Sequence, residues 1–195
     1  MRSLEGQTAL VTGGGKDIGR AVSLALSARG VRIVVTGRDE KALGETVGEI
    51  AHGGGKARHV VGDVRDPIQL GAAADRAIEV FGGLNIVILC HAVHFDEMGA
   101  ECTFSMAMAR LPTPGRLLVA TAHADPSITS AVREHATALF AKGITCNAIL
   151  LEGVEDASMD IDDAAASVGE LVVFLCGRAA DGITGQAISI RAATG

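Results

Sequence analysis

Short apolar runs rich in β-branched residues alternate with longer amphipathic stretches along most of the chain. We expect strands at 7–12, 31–36, 57–61, 85–90, 116–120, 144–150 and 187–191. Helices are predicted at 18–29, 39–52, 67–81, 127–142 and 162–177, with a further one near 97–110. Near-continuous apolar strands separated by helices are typical of a parallel sheet that is covered on both faces. The pattern therefore predicts an α/β fold, a single Rossmann-like doubly wound parallel sheet with helices on both faces.

Composition narrows the class of protein. The 195 residues suffice for one domain with a substantial core, and a hydrophobic content of 48% excludes a disordered chain. The net charge is −6 and the pI about 5.5, so the chain lacks the basic excess that binds nucleic acid. No apolar run reaches membrane-spanning length, and we expect no membrane association.

The four cysteines are widely spaced and form no CxxC pair, so we expect no zinc site. Three of them stand within apolar runs, where a free cysteine is typically a small core residue. The first apolar run begins at Thr8 and is interrupted by glycines at 13–15, which does not resemble a signal peptide. We expect a reducing, cytoplasmic compartment.

Residues 9–20 have the pattern of a strand, a glycine-rich turn and the start of a helix. Gly13 and Gly15 would let the backbone approach a pyrophosphate, and Gly19 would allow close contact between helix and strand. A helix beginning near Ile18 would direct its N–H groups and its positive dipole end at the anion. The turn therefore predicts a dinucleotide site.

Asp17 has two interpretations within this turn. Its carboxylate would repel a neighbouring pyrophosphate. Alternatively, the side chain caps the helix that begins at Ile18 and points away from the ligand. We favour the cap.

The sequence TGGGKDIG at 12–19 resembles the T-G-x-x-x-G-x-G turn of the short-chain dehydrogenase/reductase family. Further segments resemble that family in order and spacing: VVTGRDE at 34–40, GDV at 62–64, FGGLNIVI at 81–88, KGITCNA at 142–148 and ITGQ at 183–186. The resemblance is good over 4–91, fair over 126–148 and 165–190, and poor over 92–125. It implies one domain, 1–195, with a nucleotide half at about 1–91, a shortened and divergent segment at 92–125, and the remaining sheet at 126–195.

The resemblance also implies a cofactor site. Its predicted residues are Gly13, Gly15, Lys16, Asp17, Ile18, Gly19, Arg38, Asp63, Val64, Cys90, His91 and Ala92. Gly37 stands where an acidic residue would bind an NAD ribose, whereas Lys16 and Arg38 are cations suited to a 2′-phosphate. We therefore expect NADP(H) in preference to NAD(H). The alternative is that both cations are solvated surface charges.

The family implies a catalytic Tyr, a Lys four residues later, a Ser and an Asn. The chain has no tyrosine, and no lysine falls in the first turns of the helix predicted at 127–142. The asparagines, Asn85 and Asn147, fall on predicted strands, and the Ser position falls on Ala122 or, with a shifted register, on Thr121. We also expect 92–125 to be too short for a full fourth helix and a substrate loop.

Three hypotheses for function follow. The first is a catalytically degenerate NADP(H)-binding protein, acting as a sensor, a scaffold or a partner subunit. The second is an active oxidoreductase that reduces a carbonyl or oxidises an alcohol with a substitute proton donor such as His91 or His123, although such histidines are more typically polar groups at loop–strand junctions. The third is an interaction module that binds no nucleotide. The catalytic residues stay unknown, and we expect a homo-oligomer or pairing with a related chain.

Overall fold

The computed structural model describes residues 4–90, 97–122, 125–152 and 161–191, with side chains from 104 onward in the second range and from 164 onward in the last. The strands are β1 (Thr8–Thr12), β2 (Arg32–Gly37), β3 (Ala57–Val61), β4 (Ile86–Cys90), β5 (Gly115–Thr121), β6 (Ile144–Glu152) and β7 (Ala187–Arg191). The helices are α1 (Asp17–Ser27), α2 (Glu40–His52), α3 (Pro67–Phe81), α4 (Glu97–Arg110), α5 (Pro126–Ala141) and α6 (Ile161–Cys176), followed by a 3-10 turn at Arg178–Ala180.

The seven strands form one parallel sheet in the order β3-β2-β1-β4-β5-β6-β7. The predicted doubly wound fold is confirmed, and every predicted element end lies within two residues of the observed one. The strand order reverses between β1 and β4, and ligands of such sheets bind in the crevice outside the carboxyl ends of the strands at that point. The glycine-rich turn that follows β1 lies there.

Alternate residues of the buried strands pack into two cores, one on each face of the sheet. Val11 and Ile88 face the core formed with α1, α2 and α6, whereas Leu10 and Leu89 face the core formed with α3, α4 and α5. This division follows from the period of two in a strand. All four side chains are fully buried, so both faces exclude water.

Aspartates start three of the helices. Asp39 Oδ1 accepts from Ala42 N–H at 3.1 Å, Asp66 from Ile68 N–H at 2.9 Å and Asp125 from Ser127 N–H at 2.9 Å. Proline occupies the first helical position after Asp66 and Asp125, where its missing N–H costs nothing. Local side chains thus fix where the connections from the carboxyl ends of β2, β3 and β5 become helical.

The connection between β4 and β5 contains the helix that was predicted near 97–110. α4 covers 14 residues over these positions, and the expectation that 92–125 cannot also hold a substrate loop stays a prediction. The connection after β5 is short, since residues 122–125 separate Thr121 from the start of α5 at Pro126. Within the described residues, no helix combines the length and apolar character needed to cross a membrane.

Candidate functional site: the carboxyl edge of the sheet

Neighbouring elements pack closely against the turn after β1 and leave little room for side chains at its glycines. A Cβ on Gly13 would lie 2.4 Å from the carbonyl oxygen of Cys90 at the end of β4, and Gly13 has a positive φ of 61°. A Cβ on Gly14 would lie 2.6 Å from Val35 on β2, and one on Gly15 would lie 3.0 Å from Ala42 on α2. The turn is therefore packed between β4, β2 and α2, and only glycines fit its path.

Gly19 has a different contact from the one predicted. A Cβ there would lie 2.2 Å from the carbonyl oxygen of Gly13, so α1 packs on the backbone of the turn itself rather than on a strand. Ile18, the preceding residue, has its side chain in the core with 7% exposure. Only the backbone N–H of Ile18 is available to a ligand, as one of the first N–H groups of α1 that have no acceptor within the helix.

Asp17 does not cap α1, which corrects the interpretation favoured from sequence. It is the first residue of the helix, the N-cap position belongs to Lys16, and no side chain forms the cap hydrogen bond. Asp17 is exposed and has a φ of 46°, in the left-handed region that favours glycine. Asp17 is therefore an exposed acidic residue in the first turn of α1.

The Lys16 ammonium group binds a carboxylate at the start of α2. Its Nζ lies 2.9 Å from Asp39 Oδ2, and both side chains are more than half exposed. The hydrogen bond with Asp39 raises the pKa of Lys16, whereas the N–H of Ala42 and then Lys16 lower the pKa of Asp39. Asp39 thus offsets part of the positive charge that Lys16 contributes to the turn.

Asp63, one of the predicted cofactor-site residues, forms an ion pair with Arg65. The Arg65 guanidinium meets both carboxylate oxygens, with Nε 3.0 Å from Oδ1 and Nη2 2.5 Å from Oδ2. Arg65 holds the pKa of Asp63 well below its usual range, through its side chain first and its backbone N–H second, and the charge of Arg38 contributes less. Gln69 Oε1 accepts from Asp63 N–H at 2.9 Å and fixes the loop after β3.

Three cations therefore follow three adjacent strands: Lys16 after β1, Arg38 directly after β2 and Arg65 after β3. Lys16 and Arg38 were predicted, and Arg65 was missed. The signal for Arg65 was its position two residues beyond Asp63, a spacing that lets an arginine fold back onto the carboxylate. Asp39 was also missed as a partner of Lys16, although its place before a helix already indicated a cap.

Cys90 and Val64 occupy apolar surroundings at this edge. Burial raises the pKa of the Cys90 thiol to about 12, so the group is neutral and unreactive near neutral pH. Cys90 N–H donates to Thr12 Oγ1 at 3.0 Å, which joins the carboxyl ends of β4 and β1. The half-buried Val64 packs against the core on the α3 side. Cys90 thus contributes backbone atoms, not its thiol, to the crevice.

The remaining predicted positions lie at or beyond the described residues. His91, Ala92 and His123 are outside them, so their predicted roles stay predictions. Thr121 ends β5 and is buried, and Ala122, which follows it, is half-buried.

The asparagines and Lys142 are engaged elsewhere in the fold. Asn147 is fully buried on β6, where its Nδ2 donates to Ile183 O at 2.8 Å and its Oδ1 accepts from Gln186 N–H at 3.1 Å. Asn85 precedes β4 and accepts from Thr8 N–H at 3.0 Å, at the amino edge of the sheet. Lys142 follows α5 and precedes β6, so it too lies at the amino edge. Among the described residues, no group of three histidine, cysteine, aspartate or glutamate side chains could hold a metal.

Sequence comparison identifies relatives over part of the chain. Versicolorin reductase stcU of Emericella nidulans is 41% identical over 85 residues, which are 43% of this chain and 32% of that protein. Hydroxysteroid dehydrogenase-like protein 2 of Rattus norvegicus is 39% identical over 92 residues, 44% of this chain and 18% of that protein. The chain thus aligns with about a third or less of the length of these two curated relatives.

Solved structures share the fold over nearly the whole chain. A short chain dehydrogenase from Burkholderia cenocepacia, solved in complex with NADP, superposes with a TM-score of 0.83 at 22% identity, covering 97% of this chain and 98% of that one. A short-chain type dehydrogenase/reductase from Mycobacterium ulcerans superposes with a TM-score of 0.85 at 19% identity, covering 97% and 90%.

The family resemblance seen in the sequence is confirmed. The sequence model of the short chain dehydrogenase family matches residues 7–109, more than half of the chain. The match includes the glycine-rich turn, the strands that carry the three cations and the end of β4. The chain therefore belongs to the short chain dehydrogenase family.

Proposed function

We propose that this chain binds a nicotinamide dinucleotide at the carboxyl ends of β1, β2 and β3, with NADP(H) preferred over NAD(H), and does not carry out hydride transfer by the usual route of its family. Its role would be that of a sensor, a scaffold or a partner subunit. We further propose that residues 1–195 act as one Rossmann-like domain, with the nucleotide half at about 1–91. The observation that carries the proposal is a glycine-rich turn closely packed against its neighbours, in a chain that has no tyrosine.

The shape of the turn fits a dinucleotide phosphate. Gly13 and Gly19 hold the turn against β4 and α1 so closely that a Cβ at either would fall within 2.4 Å of a backbone oxygen. The path is therefore set by the protein, and the first N–H groups of α1 are directed outward before any ligand arrives. A site fixed in advance lowers the entropy cost of binding. The relative from Burkholderia cenocepacia, with the same fold, was solved with NADP.

The charges at the edge favour the extra phosphate of NADP(H). Arg38 directly follows β2, the strand whose end an acidic residue would occupy in an NAD-preferring site. Lys16 and Arg65 lie on either side of it in the strand order, each holding one carboxylate. An arginine binds a phosphate through two parallel hydrogen bonds, so Arg38 is the best candidate for the 2′-phosphate.

Asp17 opposes binding. Its exposed carboxylate stands at the N-terminus of α1, where the helix dipole otherwise favours a ligand anion. The repulsion should weaken the affinity rather than abolish it, because Lys16 and the N–H groups of the turn act on the same ligand. We expect micromolar rather than nanomolar binding.

The usual proton relay has no counterpart in this chain. Tyrosine is absent from all 195 residues, and Lys142, the lysine nearest to α5, lies at the opposite edge of the sheet. The side-chain oxygen of Asn147 accepts from the backbone N–H of Gln186, just before β7. The side-chain oxygen of Asn85 accepts from the backbone N–H of Thr8 in β1. Members of one coupled catalytic group contribute non-additively, so loss of the tyrosine alone removes most of the rate.

The test is a titration of the protein into NADPH and NADH, following the emission of the reduced nicotinamide. The chain has no tryptophan or tyrosine, so emission from the protein does not interfere. We expect saturable binding of NADPH about tenfold tighter than that of NADH. Arg38→Gln should remove most of that difference, whereas Arg133→Gln, an exposed cation on α5, should leave both affinities unchanged.

Each other outcome selects one alternative. No saturable change with either nucleotide overturns the proposal in favour of an interaction module. Binding followed by steady oxidation of NADPH on addition of ketones or aldehydes overturns it in favour of an active oxidoreductase. In that case replacing His91 and His123 with glutamine identifies the substitute donor.

A further inference from the structure

A small cleft of about 140 Å³ opens at the amino edge of the sheet, at the opposite end of the strands from the glycine-rich turn. Two arginines, Arg116 and Arg178, and two amide side chains, Gln7 and Asn85, line it. These residues precede β1 and β4, begin β5 or follow α6. Nothing in the proposed nucleotide site extends to this edge.

Arg116 is the centre of this cleft. Its side chain is only 8% exposed, although it carries a permanent positive charge. Nη2 donates to Asp181 Oδ1 and Nη1 donates to Gly115 O, the latter at 3.0 Å. Nε is buried and has no partner among the described residues. An unsatisfied donor on a buried cation is costly, so such a group normally has a ligand or an ordered water.

The unsatisfied groups of the described chain share this edge. Three buried side-chain polar atoms lack a partner in the described residues: Thr8 Oγ1, Arg32 Nε and Arg116 Nε. They belong to the first residue of β1, the first of β2 and the second of β5. Among the residues that the structure describes, the unpartnered buried polar atoms thus lie at the amino edge, and they are two cationic donors and one hydroxyl.

Other donors belong to residues that line the same cleft. Asn85 uses Oδ1 to accept from Thr8 N–H, which leaves its Nδ2 without a partner among the described residues. Arg178 is exposed and forms no ion pair within the described part of the chain. Asp181, which is 55% exposed, neutralises one cation and leaves the second charge available.

Cys176, which also lines the cleft, does not supply an anion. Burial raises the pKa of its thiol to about 12, with a smaller opposing effect of Arg116, so the thiol stays protonated at neutral pH. The cleft therefore holds more donors than acceptors and one excess positive charge.

We propose that this cleft is a binding site for a small oxyanion, a phosphate or a short-chain carboxylate, held by the Arg116 guanidinium, Asn85 Nδ2 and Arg178. The volume of about 140 Å³ accommodates one such group and excludes a dinucleotide. Charge-assisted hydrogen bonds to two arginines supply the affinity, and the amide of Asn85 adds direction.

The experiment follows the ¹H–¹⁵N resonance of Arg116 Nε while inorganic phosphate, glycerol phosphate or acetate is added at constant ionic strength. We expect a saturable shift with at least one of these anions and none with chloride. Shifts with both phosphates identify a phosphate site, and a shift with acetate alone identifies a carboxylate site. The absence of a saturable shift with all three overturns the proposal and assigns the unpartnered donor to water.

Two variants test whether the named donors bind the anion. Asn85→Asp keeps the oxygen that accepts from Thr8 N–H but replaces the amide donor with a charged acceptor, and Arg178→Gln removes an exposed cation. Each should weaken binding about tenfold or more. Arg133→Gln removes the same charge outside the cleft and should leave binding unchanged. If Arg133→Gln weakened anion binding equally, the effect would come from the net charge of the protein and not from contact with the anion, and the proposed site would be wrong.

Discussion

The two halves of the carboxyl edge differ in what holds their residues in place. At the ends of β1, β2 and β3 the residues proposed to bind a nucleotide also maintain the fold. A Cβ at Gly13 or Gly19 would lie within 2.4 Å of a backbone oxygen, so these positions require glycine. At the ends of β4 and β5 the described side chains are apolar or buried, as Cys90 and Thr121 are. Contacts that maintain the fold thus also fix the path of the proposed nucleotide half.

The largest expected effect concerns how completely the core beside β4, β6 and α6 excludes water. Burial raises the pKa values of Cys90, Cys146 and Cys176 to about 12, well above that of an unfolded thiol. A raised acid pKa stabilises the fold below the unfolded value of about 9 and loses that contribution as pH rises towards 12. Each thiol should contribute a slope of about 1.4 kcal/mol per pH unit above pH ~9.

Denaturant unfolding at several pH values in a Cys102→Ser background measures this slope. Exchanging the three buried cysteines for alanine should flatten it in proportion to the number replaced. A stability that does not change between pH ~8 and ~11 would show that water reaches these thiols, and the burial of Cys90 at the end of β4 would not hold in solution.

The next effect tests whether the turn is fixed by the protein. Gly13→Ala places a Cβ 2.4 Å from Cys90 O at a φ of 61°, and it should cost about 3 kcal/mol of unfolding free energy. Gly48→Ala in α2, where a Cβ meets nothing within 4 Å, should instead stabilise the protein by about 0.5–1 kcal/mol. Chemical denaturation measures both. Equal effects from the two substitutions would contradict the contact between the turn and β4.

Two substitutions of Asp17 distinguish the effect of backbone strain on stability from the effect of charge on NADPH binding. Asp17→Gly should stabilise the protein by about 1 kcal/mol, because glycine adopts the φ of 46° without strain. Asp17→Asn keeps the strain and removes the charge. Both should tighten NADPH binding by about tenfold, since a carboxylate no longer faces the phosphates. If neither changes the NADPH affinity, the phosphates do not bind at this helix N-terminus.

The smallest expected effect concerns the loss of stability at acidic pH. Arg65 holds the pKa of Asp63 below its usual range, so this carboxylate stabilises the fold above pH ~4 and loses that contribution as pH falls further. Asp63→Asn should therefore reduce the pH dependence of stability below pH ~4 and leave Arg65 free. Glu134→Gln on α5 removes one exposed carboxylate as the control. An unchanged acid profile in Asp63→Asn would show that Arg65 does not hold the carboxylate in solution.

Most of the fold could be predicted from sequence because its signals lie in neighbouring residues. Apolar strands and capping aspartates such as Asp66 are readable from neighbouring residues, and the predicted strand and helix ends agree with the structure within two residues. The fold and family were therefore predictable. The turn at 12–19 was found for the same reason, because its spacing is contained in eight residues.

The misses arose where backbone conformation or a folded-back side chain decides the outcome. Asp17 has the composition of a helix cap, but the turn gives it a left-handed φ, which residue type alone does not reveal. Arg65 binds Asp63 through a local fold of the loop, and Lys16 meets Asp39 across 23 positions. The unpartnered Nε of Arg116 depends on burial at the strand start, which a charged residue in a sequence does not suggest.

The most direct test is the absorbance of reduced nicotinamide during prolonged incubation of the protein with saturating NADPH and a panel of ketones and aldehydes, on samples in which binding has been verified by nicotinamide emission. The account predicts bound NADPH that is not consumed above the rate without protein. Consumption proportional to protein concentration and dependent on the carbonyl would contradict it.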